Sequence, residues 1–207
     1  RDRPRMAIRP KRQWFKTDTP KTPQEAAGAM AFIVWRVAHN TLAQMRSAQF
    51  DIDIGPMYFD FMREWLVFLI QVTDRMAHAR LAGDERVAFT TALVQRVADH
   101  LADNENRLLG APMPGQDSYQ GRFIDLCNEL STHYADFGHG AAGPDFAFKR
   151  YLGSRIEALM PPKDRAWALD QVMSVEAPEA VEMLQRSLDG VLSTEPRAPR
   201  RAGLSGD

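Results

Sequence analysis

Cysteine is nearly absent from this sequence. Among its 207 residues there is a single thiol, Cys127. One cysteine excludes an internal disulfide and a cysteine-based metal cage, and it is typical of a protein from a reducing compartment. We also expect no secretion signal, because no basic segment followed by an apolar one opens the sequence. These features predict a cytoplasmic location.

Long hydrophobic runs are missing as well. The apolar run of the central segment, residues 65–70, is bracketed by Arg63 and Glu64 on one side and by Asp74 and Arg75 on the other. A helix needs about 20 consecutive apolar residues to span a membrane. The sequence therefore predicts no membrane span.

The common catalytic and ion-binding motifs do not occur. There is no Gly-x-Ser-x-Gly elbow and no Gly-x-Gly-x-x-Gly dinucleotide motif. The glycine-rich stretch 138–144 lacks the Lys and Ser/Thr of a phosphate-binding loop, and the acidic stretch at Asp51 has Met62 where a calcium loop needs Glu. Cys127 falls on the apolar face of its predicted helix, where a thiol is usually a buried hydrophobe. We therefore expect a non-enzymatic protein without a cofactor.

What the sequence does contain is a succession of amphipathic helical segments. The clearest start is Thr22-Pro23-Gln24-Glu25, in which Thr caps the helix, Pro takes the first helical position and Glu returns a bond to the cap. Helices are predicted at about 22–48, 57–81, 84–109, 118–137, 146–160, 163–174 and 178–192, with the last two separated near Ala177-Pro178 and with no strand. The predicted fold class is an all-α, single-domain bundle of five main helices plus two short C-terminal ones.

The helix predicted at 57–81 is the centre of this bundle. At 100° per residue its apolar side chains fill an arc of about 200°, roughly twice the stripe that a surface helix needs. Asp60, Gln71, Asp74 and His78 lie in the narrow remaining sector. Such a helix is covered from two or three sides, and a homodimer is one way to cover the surplus apolar surface.

Charge divides the chain into three parts. The net charge is −1, but residues 1–21 carry eight Lys or Arg against two Asp, and residues 194–207 add one further positive charge, so the body 22–193 is acidic. We predict a basic N-terminal arm, an all-helical domain and a flexible tail with these bounds. The arm either docks locally or contacts an anionic partner such as nucleic acid. Its interaction candidates are Arg9, Lys11, Arg12, Trp14, Phe15 and Lys16.

Histidine and carboxylate pairs at helical spacing suggest a second possibility, a metal site in the bundle core. The candidate ligands are Asp74, His78, His100, Asp103, Glu129, His133 and Asp136. Two observations weigh against the site: Glu-x-x-His does not occur, and the candidates lie off the apolar faces of their helices. The alternative is that they form solvated faces with ordinary i, i+4 pairs.

The leading functional hypothesis is binding of another macromolecule, in a protein-interaction or regulatory or assembly role. The arm and the surplus apolar surface would form the contacts. The alternative is a helical bundle that binds a metal or an apolar small ligand. Ten Met and eleven Phe would suit an adaptable apolar pocket, although core packing accounts for the same residues.

Overall fold

Helices make up most of the structure, a computed structural model that describes residues 21–53 and 55–193. They are α1 (Pro23–Ser47), α2 (Pro56–His78), α3 (Gly83–Leu109), α4 (Tyr119–Tyr134), α5 (Phe146–Leu159), α6 (Arg165–Gln171) and α7 (Ala177–Leu192). A π-helical turn, Val172–Glu176, joins α6 to α7. The predicted all-α class is confirmed.

Local sequence signals explain where several helices start. Thr22 Oγ1 accepts the backbone N–H of Glu25 at 3.2 Å, and the Glu25 carboxylate accepts the N–H of Thr22 at 3.0 Å. This reciprocal pair satisfies donors that the first helical turn leaves free. Asp145 caps α5 in a related way, by accepting the backbone N–H of Phe148 at 2.8 Å.

The predicted boundary between α2 and α3 was wrong by about one turn. The predicted helices ended at residue 81 and began again at residue 84, but α2 ends at His78 and α3 begins at Gly83. Ala82 therefore occupies the cap position, where it has no side-chain acceptor. Glu85 compensates in part, because its carboxylate accepts the N–H of Ala82 at 3.3 Å.

The predicted break at Ala177-Pro178 was also wrong. The backbone stays helical from Arg165 to Leu192, and the turn before Pro178 widens to a π-helix. Proline has no N–H, and its ring clashes with the carbonyl four residues earlier in a regular α-helix. The wider turn, in which Ala177 N–H donates to Val172 O, accommodates the proline without ending the helix.

One pair of very short strands was not predicted. β1 (His139–Gly140) and β2 (Gly143–Pro144) form an antiparallel hairpin inside the glycine-rich stretch. Gly143 has a φ of 93°, which glycine adopts without strain. Strands of two residues are too short to show the alternating pattern that predicts a strand from sequence.

Two ion pairs fix the direction of α2 against α3. Arg63, near the start of α2, contacts Glu105 near the end of α3 at 2.6 Å. Asp74, near the end of α2, contacts Arg86 near the start of α3, also at 2.6 Å. The two helices are therefore antiparallel neighbours, as the short connection between them requires.

The other helices complete the cover of α2. Residues 65–70 are all fully buried. Helices α1, α3, α4, α5 and α7 all contact α2. The helix that was predicted to be the central element therefore packs against five other helices. The wide apolar face of α2, which suggested a homodimer, is thus covered by other helices of the same chain.

Residues Lys21–Leu192 form one compact unit. Within the described ranges, no helix combines the length and the apolar character needed to cross a membrane. The interaction candidates of the basic arm and the predicted tail at 194–207 lie outside the described residues.

Candidate binding groove between α2 and α3

A groove of about 500 Å³ opens where α2 ends and α3 begins. Its volume falls in the range of about 300 to 1,000 Å³ that small-molecule sites occupy. The lining residues come from the last two turns of α2, the connecting loop and the first turns of α3. They are Asp74, His78, Leu81, Gly83, Arg86, Val87, Thr90 and Thr91.

Helical spacing places the polar side chains of the groove. Asp74 and His78 are four residues apart on α2, and Arg86 and Thr90 are four residues apart on α3. Residues at this spacing share one face of a helix. Since the two helices are antiparallel neighbours, the two pairs face each other across the groove.

Asp74 is the acceptor at the centre of a hydrogen-bond network. Arg86 donates from Nε to Oδ1 at 3.0 Å and from Nη2 to Oδ2 at 2.6 Å, and Thr90 donates from Oγ1 to Oδ1 at 2.6 Å. Bidentate guanidinium–carboxylate pairs are among the strongest side-chain contacts in proteins. The hydrogen bond to Asp74 raises the pKa of Arg86 above its usual value. With three donors on its two oxygens, Asp74 is engaged within the network.

His78 extends this network to the rim of the groove. Its Nδ1 lies 3.1 Å from Nη1 of Arg86. A guanidinium only donates hydrogen bonds, so Nδ1 is the acceptor in this contact and Nε2 is the nitrogen left to donate. His78 itself is exposed. The network therefore ends in an N–H group at the surface.

The other lining side chains are those of Leu81, Val87 and Thr91. Val87 is 66% exposed, and Leu81 is partly buried. The floor combines one positive and one negative charge in a closed pair. This arrangement suits an uncharged ligand, because a paired charge attracts a ligand ion far less than a free one.

Of the predicted metal ligands, the structure brings together Asp74 and His78. His100 instead stacks on Trp35, with 6.3 Å between ring centroids, and His133 stacks on Tyr151 at 5.5 Å. The other candidates, Asp103, Glu129 and Asp136, are all exposed. In residues 21–53 and 55–193, no three His, Cys, Asp or Glu side chains are placed so that they could hold a metal ion.

Cys127 is buried on the inner face of α4, as its place in the sequence pattern suggested. Burial raises the pKa of its thiol to about 11. The nucleophilic form of cysteine is the thiolate, and a thiol with this pKa stays protonated near neutral pH. The side chain is thus a small buried hydrophobe.

Arg86 and Thr90 were missed as site residues by the sequence analysis. They could have been predicted from the i, i+4 spacing of polar residues on two helices joined by a short loop, and from the opposite charges of Asp74 and Arg86. Arg75, the next residue after Asp74, donates to the carbonyl oxygens of Phe137 and Tyr134, each at 3.0 Å. It therefore anchors the C-terminal end of α4 to α2.

A second surface, which we call the aromatic surface, consists of Phe32, Trp35, Arg36 and His100. Phe32 is 51% exposed, although it lies on the otherwise polar side of α1. The guanidinium of Arg36 lies 5.7 Å from the centroid of the Phe32 ring, within cation–π range. The ring of His100 lies 6.5 Å from that of Phe32. The aromatic surface thus joins the outer faces of α1 and α3.

Relationships to known proteins do not add to this picture. Comparison of the chain with models of known protein families, with curated proteins and with solved structures finds no match. In the part of the chain that the structure describes, the groove and the aromatic surface are features on which a function can be based.

Proposed function

We propose that this protein is a non-enzymatic binding protein whose groove between α2 and α3 holds a small, mainly apolar molecule. One observation carries the proposal: Arg86 bridges Asp74 and His78, so the polar groups of the floor bind one another. A floor of unpaired charges would have to lose its water when an apolar ligand entered. A closed network next to Leu81 and Val87 avoids most of that cost.

The expected affinity is moderate. Drug-sized ligands gain about 0.3 kcal/mol per non-hydrogen atom, so a ligand of about 20 such atoms would gain about 6 kcal/mol. That free energy corresponds to a dissociation constant of roughly 40 μM. A binding assay must therefore detect affinities in the range of tens of micromolar.

The test uses a neutral fluorescent probe, N-phenyl-1-naphthylamine, and a variant that fills the groove. We expect a saturable increase in fluorescence with the wild-type protein and at least about tenfold weaker binding with Val87→Trp. Leu108→Trp is the matched control, because Leu108 is 56% exposed at the other end of α3. Equal binding by all three proteins would place the probe elsewhere and contradict the proposal.

A second candidate function is binding of another protein, including a second copy of this chain, through the aromatic surface. Its support is the exposed ring of Phe32 next to Trp35 and Arg36. Aromatic and arginine side chains are enriched among residues that dominate interface energies. This candidate keeps the macromolecular function expected from the sequence, but it uses a different surface.

The aromatic surface can be tested separately from the groove. We expect Phe32→Asp to abolish any homodimer seen by light scattering, and any protein partner captured by crosslinking in the source cell. Phe146→Asp is the matched control, because Phe146 is 72% exposed on α5. A dimer or partner that survives Phe32→Asp would remove this candidate.

We place either function in the cytoplasm. The support is the single cysteine, whose buried free thiol suits a reducing compartment. Cell fractionation of the tagged protein tests the location. Recovery in an oxidising compartment would contradict it.

A further inference from the structure

We infer that the ligand of the groove is an uncharged molecule with a carbonyl-type hydrogen-bond acceptor, which takes the Nε2–H of His78. This inference rests on the proposed small-molecule function and adds the chemical class of the ligand. It comes from the hydrogen-bond groups that the network leaves over.

The groups left over on Arg86 and His78 are donors. A guanidinium has five N–H donors and no acceptor. Arg86 uses three of them, two on Asp74 and one on His78. Two N–H groups of Arg86 therefore remain, together with the Nε2–H of His78. Both carboxylate oxygens of Asp74 already accept hydrogen bonds. A ligand that enters next to this network meets these three unused N–H groups, and an acceptor on the ligand would satisfy one of them.

The charges around the groove indicate whether the acceptor group of the ligand is neutral or charged. Asp74 and Arg86 neutralise each other, whereas Asp84 and Glu85 in the first turn of α3 add negative charge beside the lining residue Gly83. A carboxylate or phosphate ligand would meet this repulsion. A cation would find the Asp74 carboxylate occupied. The acceptor that fits both conditions is neutral, such as the carbonyl of a ketone, ester or amide.

The position of His78 matches this role. Its ring is held by the bond from Arg86 to Nδ1, which fixes the proton on Nε2. The side chain is exposed at the rim, so its N–H can meet a ligand without a change in the packed core. The apolar body of the ligand would then lie along Leu81 and Val87.

Three probes of similar shape test the inference: benzophenone with a neutral carbonyl, diphenylmethane with none, and diphenylacetate with a negative charge. A net hydrogen bond contributes about 1 kcal/mol, which corresponds to about a fivefold difference in affinity. We expect benzophenone to displace N-phenyl-1-naphthylamine about fivefold better than diphenylmethane does, and diphenylacetate to be the weakest competitor.

Two substitutions at His78 assign the donor. His78→Gln keeps an N–H donor and should keep most of the preference for benzophenone over diphenylmethane, whereas His78→Leu should bring the two affinities within about twofold of each other. Both variants change an exposed side chain, so they should fold. A preference for benzophenone that survives His78→Leu would overturn the role of His78.

Irradiation of bound benzophenone identifies the residues that contact the probe, because the excited carbonyl inserts into nearby C–H bonds. We expect the labelled peptides to come from residues 74–91. Labels outside this segment would overturn the location.

The outcomes separate the two proposals. If the dye does not bind, the small-molecule function and this inference both fail. If the dye binds but neither benzophenone nor diphenylmethane displaces it, the small-molecule function stands and the carbonyl inference is overturned. If benzophenone and diphenylmethane bind equally, the groove remains a binding site and the carbonyl inference is overturned. If diphenylacetate binds best, the ligand is an anion and the inference is again overturned.

Discussion

Two ion pairs connect α2 to α3, and they differ in their surroundings. In the Arg63–Glu105 pair, the Glu105 side chain is fully buried and Arg63 is 16% exposed. In the Asp74–Arg86 pair, the side chains are 18% and 30% exposed. The same two helices thus hold one pair inside the bundle and one beside a groove.

The two carboxylates also differ in how well they are satisfied. Glu105 Oε1 has no hydrogen-bond partner within the part of the chain that the structure describes, and burial raises the pKa of this carboxyl above its usual value. Both oxygens of Asp74 accept hydrogen bonds. Similar ion pairs at the two ends of one helix pair therefore have different roles. Arg63 compensates a buried charge, whereas Arg86 lines the groove.

We expect the largest loss of stability when the buried Arg63–Glu105 pair is broken. Arg63→Leu leaves the Glu105 carboxylate buried without its counter-ion, which should lower the free energy of unfolding by about 3 to 5 kcal/mol. Urea denaturation measures this change. Arg80→Leu is the control, because its pair with Asp189 is largely exposed and should contribute below about 1 kcal/mol. Similar losses in both variants would contradict the contrast between buried and exposed pairs.

The Asp74–Arg86 pair beside the groove should contribute less to the free energy of unfolding. A double-mutant cycle with Asp74→Ala and Arg86→Ala should give a coupling free energy of about 1 to 2 kcal/mol, because the pair is bidentate but partly exposed. The pair Glu182–Arg186, whose side chains are 61% and 75% exposed, provides the control cycle. Its coupling should be about 0.3 to 0.5 kcal/mol. Equal couplings in the two cycles would mean that the bidentate geometry adds nothing.

One hydrogen bond of the network can be removed alone. Thr90→Val keeps the shape of the side chain and deletes the donor to Asp74, so we expect a loss of about 1 kcal/mol in the free energy of unfolding. Thr91→Val should change it by less than about 0.5 kcal/mol, because Thr91 is exposed on the next position of the helix. If the two substitutions change the free energy of unfolding equally, the hydrogen bond from Thr90 to Asp74 does not stabilise the protein.

The smallest expected effect is on the pH dependence of stability. Because burial raises the pKa of Glu105 in the folded state, the unfolded chain loses this proton first as the pH rises above the usual value of 4.5. Wild-type stability should therefore fall relative to Glu105→Gln as the pH is raised from 4.5 towards neutrality. Urea denaturation at several pH values measures the difference. A difference that stays constant, or that grows in favour of the wild type, would contradict the role assigned to burial.

Much of the fold could be predicted from the sequence, because helix periodicity and capping are local properties. Four consecutive residues, 22–25, were enough to predict where α1 starts. The central position of α2 was predicted from the width of its apolar face. Where local signals conflicted, the predictions were wrong. Pro178 looked like a helix break, yet the turn before it widens and the helix continues.

The groove is different, because only the tertiary structure decided which side chains meet. Asp74 and His78 were visible as a spaced pair, but Arg86 and Thr90 joined them through the antiparallel packing of α3 on α2. Arg63 and Glu105 are 42 residues apart in sequence. Periodicity gives the face of a helix on which a residue lies, but not the helix that covers this face. The sequence by itself therefore determined the helices and the central one among them, and packing decided which of their polar residues form a network.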